Sequence, residues 1–288
     1  MKTKSQIRDY FNHKKEKISI IIIQFFLLSL IAFSTLLLFG FSHMKDPNIY
    51  YEYSVEIIKG NIPYKDFQFE YPPLAIVPIL LPQLFGLGNM ISSRLYIVLF
   101  FIQSGVLSII VSMILLRIIS IKDFSLNSNY TISFYTLTVA ILAPLLPWRY
   151  DLFPAVLTLT SFLFCLQCQS IFSGFWLGCG ISAKLYPVVL LPIFSIYYLA
   201  QRKYLDFMKL VFTAILTTVL TFIPFILLDF QKFASFFQYH QLRGFQVESL
   251  ASGIILLLHK LNIIEVNIEN NYGADHLVSA SPFINNLL

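Results

Sequence analysis

Charge is scarce in this chain. Asp, Glu, Lys and Arg make up 12% of its 288 residues, about half the ~25% usual for a soluble globular domain. Hydrophobic residues supply 57% and aromatic residues 16%, and the mean hydropathy is +0.73. A chain so poor in charge falls outside the soluble class and reads as an integral membrane protein. Cysteine is scarce as well. Cys165, Cys168 and Cys179 all lie inside apolar runs. The first two have C-x-x-C spacing, but no second pair or histidine cluster accompanies them, which argues against a metal or redox centre. Buried cysteine ordinarily behaves as a small hydrophobe. Neither an internal repeat nor a low-complexity linker is visible. The net charge of +5 does not point to nucleic acid, because the positive charge sits where membrane orientation needs it.

What is present is a series of apolar runs of membrane length. The basic start, residues 1–17, contains KTKSQIRDYFNHKKEK and resembles a signal n-region. The run that follows, Ile18 to Phe41, has 24 residues. That exceeds the 7–15 of a signal h-region, and no small-x-small site follows it. It reads as a span of about 36 Å at 1.5 Å per residue. The positive-inside rule then places the N-terminus in the cytoplasm, in a plasma-membrane topology. Further crossings are expected at Leu95–Leu116, Tyr130–Trp148, Leu152–Cys168, Ile171–Ala183, Leu185–Ala200 and Leu210–Leu228. The run Leu74–Leu87 has only 14 residues and suits a re-entrant or interfacial segment. The run Leu277–Leu288 reads as the beginning of an eighth span in a longer polypeptide. Under this topology the cytoplasmic segments carry 11 Lys and Arg against 4 Asp and Glu, and the outer segments 9 against 11. The expected architecture is all-α and polytopic, with seven to eight spans. It forms one membrane domain over 18–288, with a large first outer loop at 42–94 bearing juxtamembrane helices.

That loop holds the densest chemistry. Between Asp46 and Pro73 lie five of the fifteen acidic residues. Asp46 as N-cap, Pro47 at the first helical position and Gly60 beyond the end predict a short helix. Its face of Ile49, Tyr50, Tyr53 and Ile57 suits a helix lying on the membrane surface. The topology gathers Asp46, Asp66, Glu70, Arg149, Asp151, Lys184, His240, Arg243 and Glu248 on the outer side. Carboxylates beside cations are what glycosyl transfer from a lipid phosphate requires. One group takes the acceptor proton while cations steady the departing phosphate. Plainer readings stand beside these. Asp46 serves equally as a cap, Asp66 and Glu70 as loop charges, and Lys184 as a residue snorkelling to the interface. Arg149 and Asp151 suit a local ion pair at the end of a span.

Several short pieces, in order, carry a resemblance. They are Asp46 with Tyr50, Gly60-Asn61-Ile62-Pro63-Tyr64, Phe69-Glu70-Tyr71-Pro72-Pro73-Leu74, Arg149-Tyr150-Asp151-Leu152 and Lys184-Leu185-Tyr186-Pro187. Tyr239-His240 follows, with Arg243 through Ser249. The set resembles the GT-C superfamily of membrane glycosyltransferases, and within it glycosyltransferase family 87, the polyprenol-phosphate-mannose-dependent mannosyltransferase type. The resemblance implies a catalytic aspartate at the outer end of the first span, which falls on Asp46. It also implies inverting transfer of a hexose, mannose first, from a polyprenyl-phosphate sugar to a lipid or glycan acceptor, without metal or cofactor. Asp66, Glu70 and Asp151 are the second acidic candidates. Arg149, Lys184, His240 and Arg243 are the phosphate candidates by charge. Tyr50, Tyr64, Tyr71 and Glu248 are the expected substrate contacts, although aromatic residues at this level also form interfacial belts. The expected partners are the lipid-linked sugar, its acceptor and membrane lipid. Two rivals remain: a transporter or lipid flippase, which would place ionisable groups at mid-membrane and show repeat symmetry, and a non-catalytic membrane subunit.

Overall fold

The computed structural model describes residues 45–87, 89–121, 128–142, 145–234, 246–247, 249–271 and 274–279, with isolated helical positions between 22 and 37 and residue 40. Its contacts divide the chain into two compact units. One comprises Met1–Pro63 with Tyr71–Phe225, the other Tyr64–Glu70 with Ile226–Leu288.

The first unit is helical. Helix α1 spans Lys45–Ile58, so Asp46 lies in its first turn instead of capping it, a shift of the size that helix boundaries commonly show. Its end follows the prediction. Gly60 has φ +94°; Asn61 N–H donates to Glu56 O at 3.1 Å and Gly60 N–H to Ile57 O at 3.0 Å. These two bonds form a Schellman cap with glycine in the left-handed position. The buried residues of α1 are Pro47, Tyr50 and Ser54. Its inner face therefore packs on protein: Tyr50 lies 5.2 Å from Phe100 and Tyr51 5.5 Å from Tyr96, ring to ring.

The run expected to be re-entrant is a broken helix: a 3-10 turn at Pro73–Ala75, α2 at Ile76–Leu80 and a second 3-10 turn at Leu81–Gly86. Prolines 72, 73, 78 and 82 account for the breaks, because each fixes φ and removes a donor. Pro82 has no N–H to offer Pro78 O four residues earlier. Gln103 Nε2 donates to that carbonyl at 3.1 Å, and Tyr96 Oη donates to the next, Ile79 O, at 2.8 Å. Gln83, buried, donates to Ser54 Oγ at 3.0 Å and accepts from Ile91 N–H at 3.3 Å. Side chains of the neighbouring helices thus satisfy the backbone and fix the segment against α1.

Helix α3, Ser93–Ile119, follows its Ser92 cap, then α4, Ser128–Leu142, and a 3-10 turn at Leu146–Trp148. Next come α5 (Leu152–Leu166), α6 (Ser170–Ala183), a 3-10 turn at Tyr186–Val189, α7 (Leu190–Ala200) and α8 (Tyr204–Leu228). The helices fall on the expected runs. Among the described residues, α3 and α8 are long and apolar enough to cross a membrane, and the other apolar helices are shorter.

Small polar residues line the seams. On α3, Ser104, Ser108 and Ser112 recur every fourth residue and are buried; Ser104 Oγ donates to Pro147 O at 3.0 Å. Ser161 on α5 and Ser173 on α6 each donate to the other's backbone carbonyl, at 2.7 and 3.0 Å. Gly174 and Gly178 on α6 form a G-x-x-x-G face against α8. A Cβ on Gly178 would sit 2.6 Å from Ala214 O, and one on Gly174 would strike Thr213 and Leu210 O. Close approach through small residues is how helices gain packing where burial from water drives nothing.

The second unit corrects the all-α expectation. Helix α9, Leu250–Lys260, starts at Ser249, whose Oγ accepts from Ser252 N–H at 3.1 Å. An antiparallel hairpin follows, β1 (Asn267–Asn271) with β2 (Ala274–Val278), in register Ile268 to Leu277. Leu277, expected to open a span, is instead a buried strand residue. Its apolar run is too short before Ser279 to form a helix, and the flanking Asn270-Asn271-Tyr272-Gly273 carries turn chemistry. Residues 280–288 lie outside the described residues. Tyr64 (φ +63°) packs its ring 5.4 Å from Phe69 and 5.2 Å from Phe233.

Two substitutions separate backbone strain from packing. Gly60→Ala, with open space at its Cβ, is expected to cost about 1–2 kcal/mol through the left-handed conformation alone. Gly178→Ala is expected to cost about 1–3 kcal/mol by overpacking the α6–α8 seam. Thermal unfolding of the purified protein in detergent, with both variants side by side, reads these losses.

Candidate active site

Three segments of the first unit supply the charged groups. Asp46 comes from the first turn of α1. Arg149, Tyr150 and Asp151 come from the short link between the 3-10 turn at Leu146–Trp148 and α5. Lys184 is the C-terminal cap of α6, where extended backbone (φ −159°, ψ 139°) ends the helix. Arg149 Nε donates to Asp46 Oδ2 at 3.1 Å, and Lys184 forms an ion pair with Asp151. The local Arg149–Asp151 pairing suggested by sequence thus opens into two pairs, each tying this link to another helix end. Asp46 and Arg149 side chains are 31% and 33% exposed, so solvent and a substrate reach both.

Tyrosines fill the space between the pairs. Tyr150, buried, lies 5.1 Å from Tyr71 and 5.8 Å from Tyr50, ring centre to ring centre, and Tyr50 lies 5.7 Å from Tyr71. All three contacts are edge-to-face, the arrangement the ring quadrupoles favour. The Tyr150 hydroxyl donates to Ala183 O at 3.3 Å, and Lys184 Nζ stands 5.5 Å over its ring. Tyr50 is only 2% exposed. Burial pushes its phenol well above the usual tyrosine range; Tyr71, Asp46, Tyr150 and Asp151 push it further. Tyr50 therefore stays a neutral hydroxyl that senses both carboxylates.

The structure thus brings together Asp46, Tyr50, Tyr71, Arg149, Asp151 and Lys184. Tyr64, Asp66 and Glu70 belong to the other unit. There Tyr64 is buried among Phe69 and Phe233, Asp66 is exposed and Glu70 half-buried. His240, Arg243 and Glu248 lie outside the described residues. Sequence reasoning quoted Tyr150 within the Arg149-Tyr150-Asp151-Leu152 piece and placed Tyr53, which lies 6.2 Å from Tyr71, on the apolar face of α1, but gave neither a role in the site. Tyr150 carried one signal, its place between two opposite charges at the end of an apolar run.

Residues 69–269 match the family model described as glycosyltransferase family 87. The chain belongs to this family. It is a membrane glycosyltransferase, and the match covers well over half of its length, including Tyr71, Arg149, Asp151, Lys184 and the His240–Glu248 stretch. Asp46 and Tyr50 precede the matched segment and join the site through the ion pair and ring contacts. No curated protein and no solved structure matches the chain.

The neutral Tyr50 gives this glycosyltransferase an alkaline weakness. The phenol has a higher pKa folded than unfolded, so its contribution to stability is complete below the unfolded value of about 10. The contribution falls as pH rises beyond that, because only the unfolded chain sheds the proton. The unfolding temperature is expected to drop between pH 9 and 11, and Tyr50→Phe is expected to flatten that drop.

Proposed function

We propose that this family 87 enzyme transfers a hexose, mannose first, from a polyprenyl-phosphate sugar to a lipid or glycan acceptor at the extracytoplasmic face, with inversion and without a metal cofactor. The pairing of Asp46 with Arg149 at 3.1 Å carries the reading. It sets a proton acceptor beside a fixed cation in a half-open position.

In the step itself, the acceptor oxygen attacks the anomeric carbon from the face opposite the phosphate. The bond from that carbon to the phosphate oxygen breaks, and its electron pair leaves with the polyprenyl phosphate. The acceptor proton passes to an Asp46 carboxylate oxygen. Arg149, by a forked guanidinium suited to phosphate, and Lys184, as a point charge, offset the charge gathering on the leaving group. His240 and Arg243 are proposed to add to this set, and Glu248 to meet the substrate. Tyr71, half-buried, is proposed to present a ring edge toward the sugar, with the buried Tyr50 bracing it from behind. Asp151 keeps Lys184 in place. Asp66 and Glu70 remain proposed acids of the first outer loop. The topology proposed with this reaction is multi-pass in the plasma membrane, with seven or eight crossings and a cytoplasmic N-terminus; α3 and α8 supply two helices of adequate length.

The test is transfer of radiolabel from polyprenyl-phosphate mannose by membranes containing the protein. Asp46→Asn is expected to lower the rate by roughly 10²–10⁴-fold, the usual worth of a positioned base, with expression unchanged. Retained transfer by that variant would remove Asp46 from the chemistry. Arg149→Lys is expected to cost less than Arg149→Ala, and in kcat more than in KM, because the charge it offsets develops during the step.

A further inference from the structure

We infer that Cys168, Cys165 and Lys203 form a peroxide-sensitive thiol site at the far end of α5 from Asp151. Cys168 is the reacting thiol, Lys203 its cationic partner, and Cys165 resolves the oxidised product to a disulfide. The inference stands apart from the transfer reaction proposed above.

Cys168 is exposed and Cys165 buried, and together they close the C-terminal end of α5. Cys168 N–H donates to Cys165 O at 3.0 Å and Gln169 N–H to Phe164 O at 2.9 Å, the two bonds of a Schellman cap. Cys168 holds the left-handed position of that cap, with φ +56°, where glycine is ordinary. A backbone bond between residues three apart keeps their Cα atoms within about 7 Å, close to the span a disulfide bridges. Cys165 belongs to the core formed with Leu177, Phe194, Tyr198 and Leu210. It is shut off from solvent but not from its neighbour in the cap. Lys203 supplies what the C-x-x-C spacing alone did not. It lies in the turn between α7 and α8, and its Nζ donates to Cys168 Sγ at 3.1 Å. Its backbone N–H donates to Tyr198 O at 3.0 Å. Ser170 Oγ donates to Asp206 Oδ1 at 3.0 Å, tying the α5–α6 turn to the start of α8 a second time. Lys203 is thereby held beside the sulfur.

An exposed thiol, a cation on its sulfur and a second thiol within reach are the parts of a redox-sensing cysteine pair. The C-terminal end of a helix carries partial negative charge; Lys203 sets a full positive charge against it. In the first step the Cys168 sulfur, its proton given up to solvent, attacks one oxygen of hydrogen peroxide. The S–O bond forms and the O–O bond breaks. Hydroxide leaves as water with a proton from Lys203, which regains one from solvent. Cys168 is then a sulfenic acid. The Cys165 sulfur attacks it, the S–S bond forms, the S–O bond breaks, and the departing hydroxide takes the Cys165 proton as a second water. Two thiols lose two electrons and one peroxide is reduced to two waters. In the topology proposed above this turn faces the cytoplasm, where disulfides are transient and serve as sensors. The site is therefore a reversible switch and not a structural staple.

The test treats the full-length protein in detergent with hydrogen peroxide as the probe. Mass spectrometry should find two hydrogen atoms lost between Cys165 and Cys168, and dithiothreitol should restore them. Cys165→Ala should stop the reaction at Cys168, where dimedone should capture the sulfenic acid. Lys203→Gln, at a half-buried position, should slow the loss of the Cys168 thiol by about tenfold, and Lys203→Arg by less than about threefold. Cys168→Ser, an exposed change that spares the core, should leave Cys165 reduced under the same peroxide. Oxidation of Cys165 in that variant would contradict the order of the two steps. A bond from Cys168 to Cys179 or to a second chain, or a Cys168–Lys203 crosslink, would remove Cys165 as the resolving thiol. Equal rates with and without Lys203 would overturn the inference, as would a Cys168 that reacts no faster than free glutathione.

Discussion

Tyr150 is where the separate parts of the site meet, and its position is fixed from three directions. Its hydroxyl is bound to the backbone at the end of α6, its ring edges meet Tyr50 of α1 and Tyr71 ahead of the proline-rich segment, and Lys184 lies over its face. The charged residues on either side of it reach outward in turn, Arg149 to Asp46 and Asp151 to Lys184. The three-residue link Arg149-Tyr150-Asp151 thus ties three helix ends into one arrangement. Charges at a membrane surface are individually cheap to place but hard to hold, because each long side chain loses conformational freedom when fixed. A buried aromatic centre supplies the rigidity that the ion pairs alone would not.

The same logic explains why the polar seams of the first unit are built from serine and glycine. Apolar side chains gain little from one another where lipid is equally apolar, so helices associate through close backbone approach and short hydrogen bonds. The Ser161–Ser173 exchange, the Gly174 and Gly178 face and the Ser104 bond to Pro147 O all shorten the distance between axes. The last of these anchors the turn that carries Trp148 and Arg149 to α3. The proline-rich segment uses a complementary device: the carbonyls its prolines leave without donors are taken by Tyr96 and Gln103. Its irregular backbone is held by the helices around it, the condition under which irregular backbone is tolerated at membrane depth.

Much of this was legible in the sequence. Apolar runs bounded by charge placed α3 to α8, and Pro47 with Gly60 placed α1 to within two residues. Asp46, Arg149, Asp151 and Lys184 were singled out from charge and topology together, and they converge. Their pairing was not legible, since charges adjacent in sequence suggest a local contact until the fold offers each a distant partner. Tyr150, one of sixteen tyrosines, stood between two opposite charges, but its place as the packing centre was not legible, since ring packing has no one-dimensional signal. The hairpin at Asn267–Val278 was missed because Leu277 reads as the edge of an apolar run. Its pairing with Ile268 leaves no mark in apolar periodicity, which ignores the Asn residues that surround it in sequence. The G-x-x-x-G face was visible at Gly174 and Gly178 and went unread.

The central claim is that Asp46–Arg149 and Asp151–Lys184 form a single glycosyl-transfer site joined through Tyr150. A double-mutant cycle of Asp46→Asn and Lys184→Gln on kcat/KM for transfer tests it most directly. Residues acting as a unit lose activity non-additively. The account predicts that the double variant is no worse than the weaker single variant, within about threefold. Losses that multiply would show that the two pairs act independently and would contradict it.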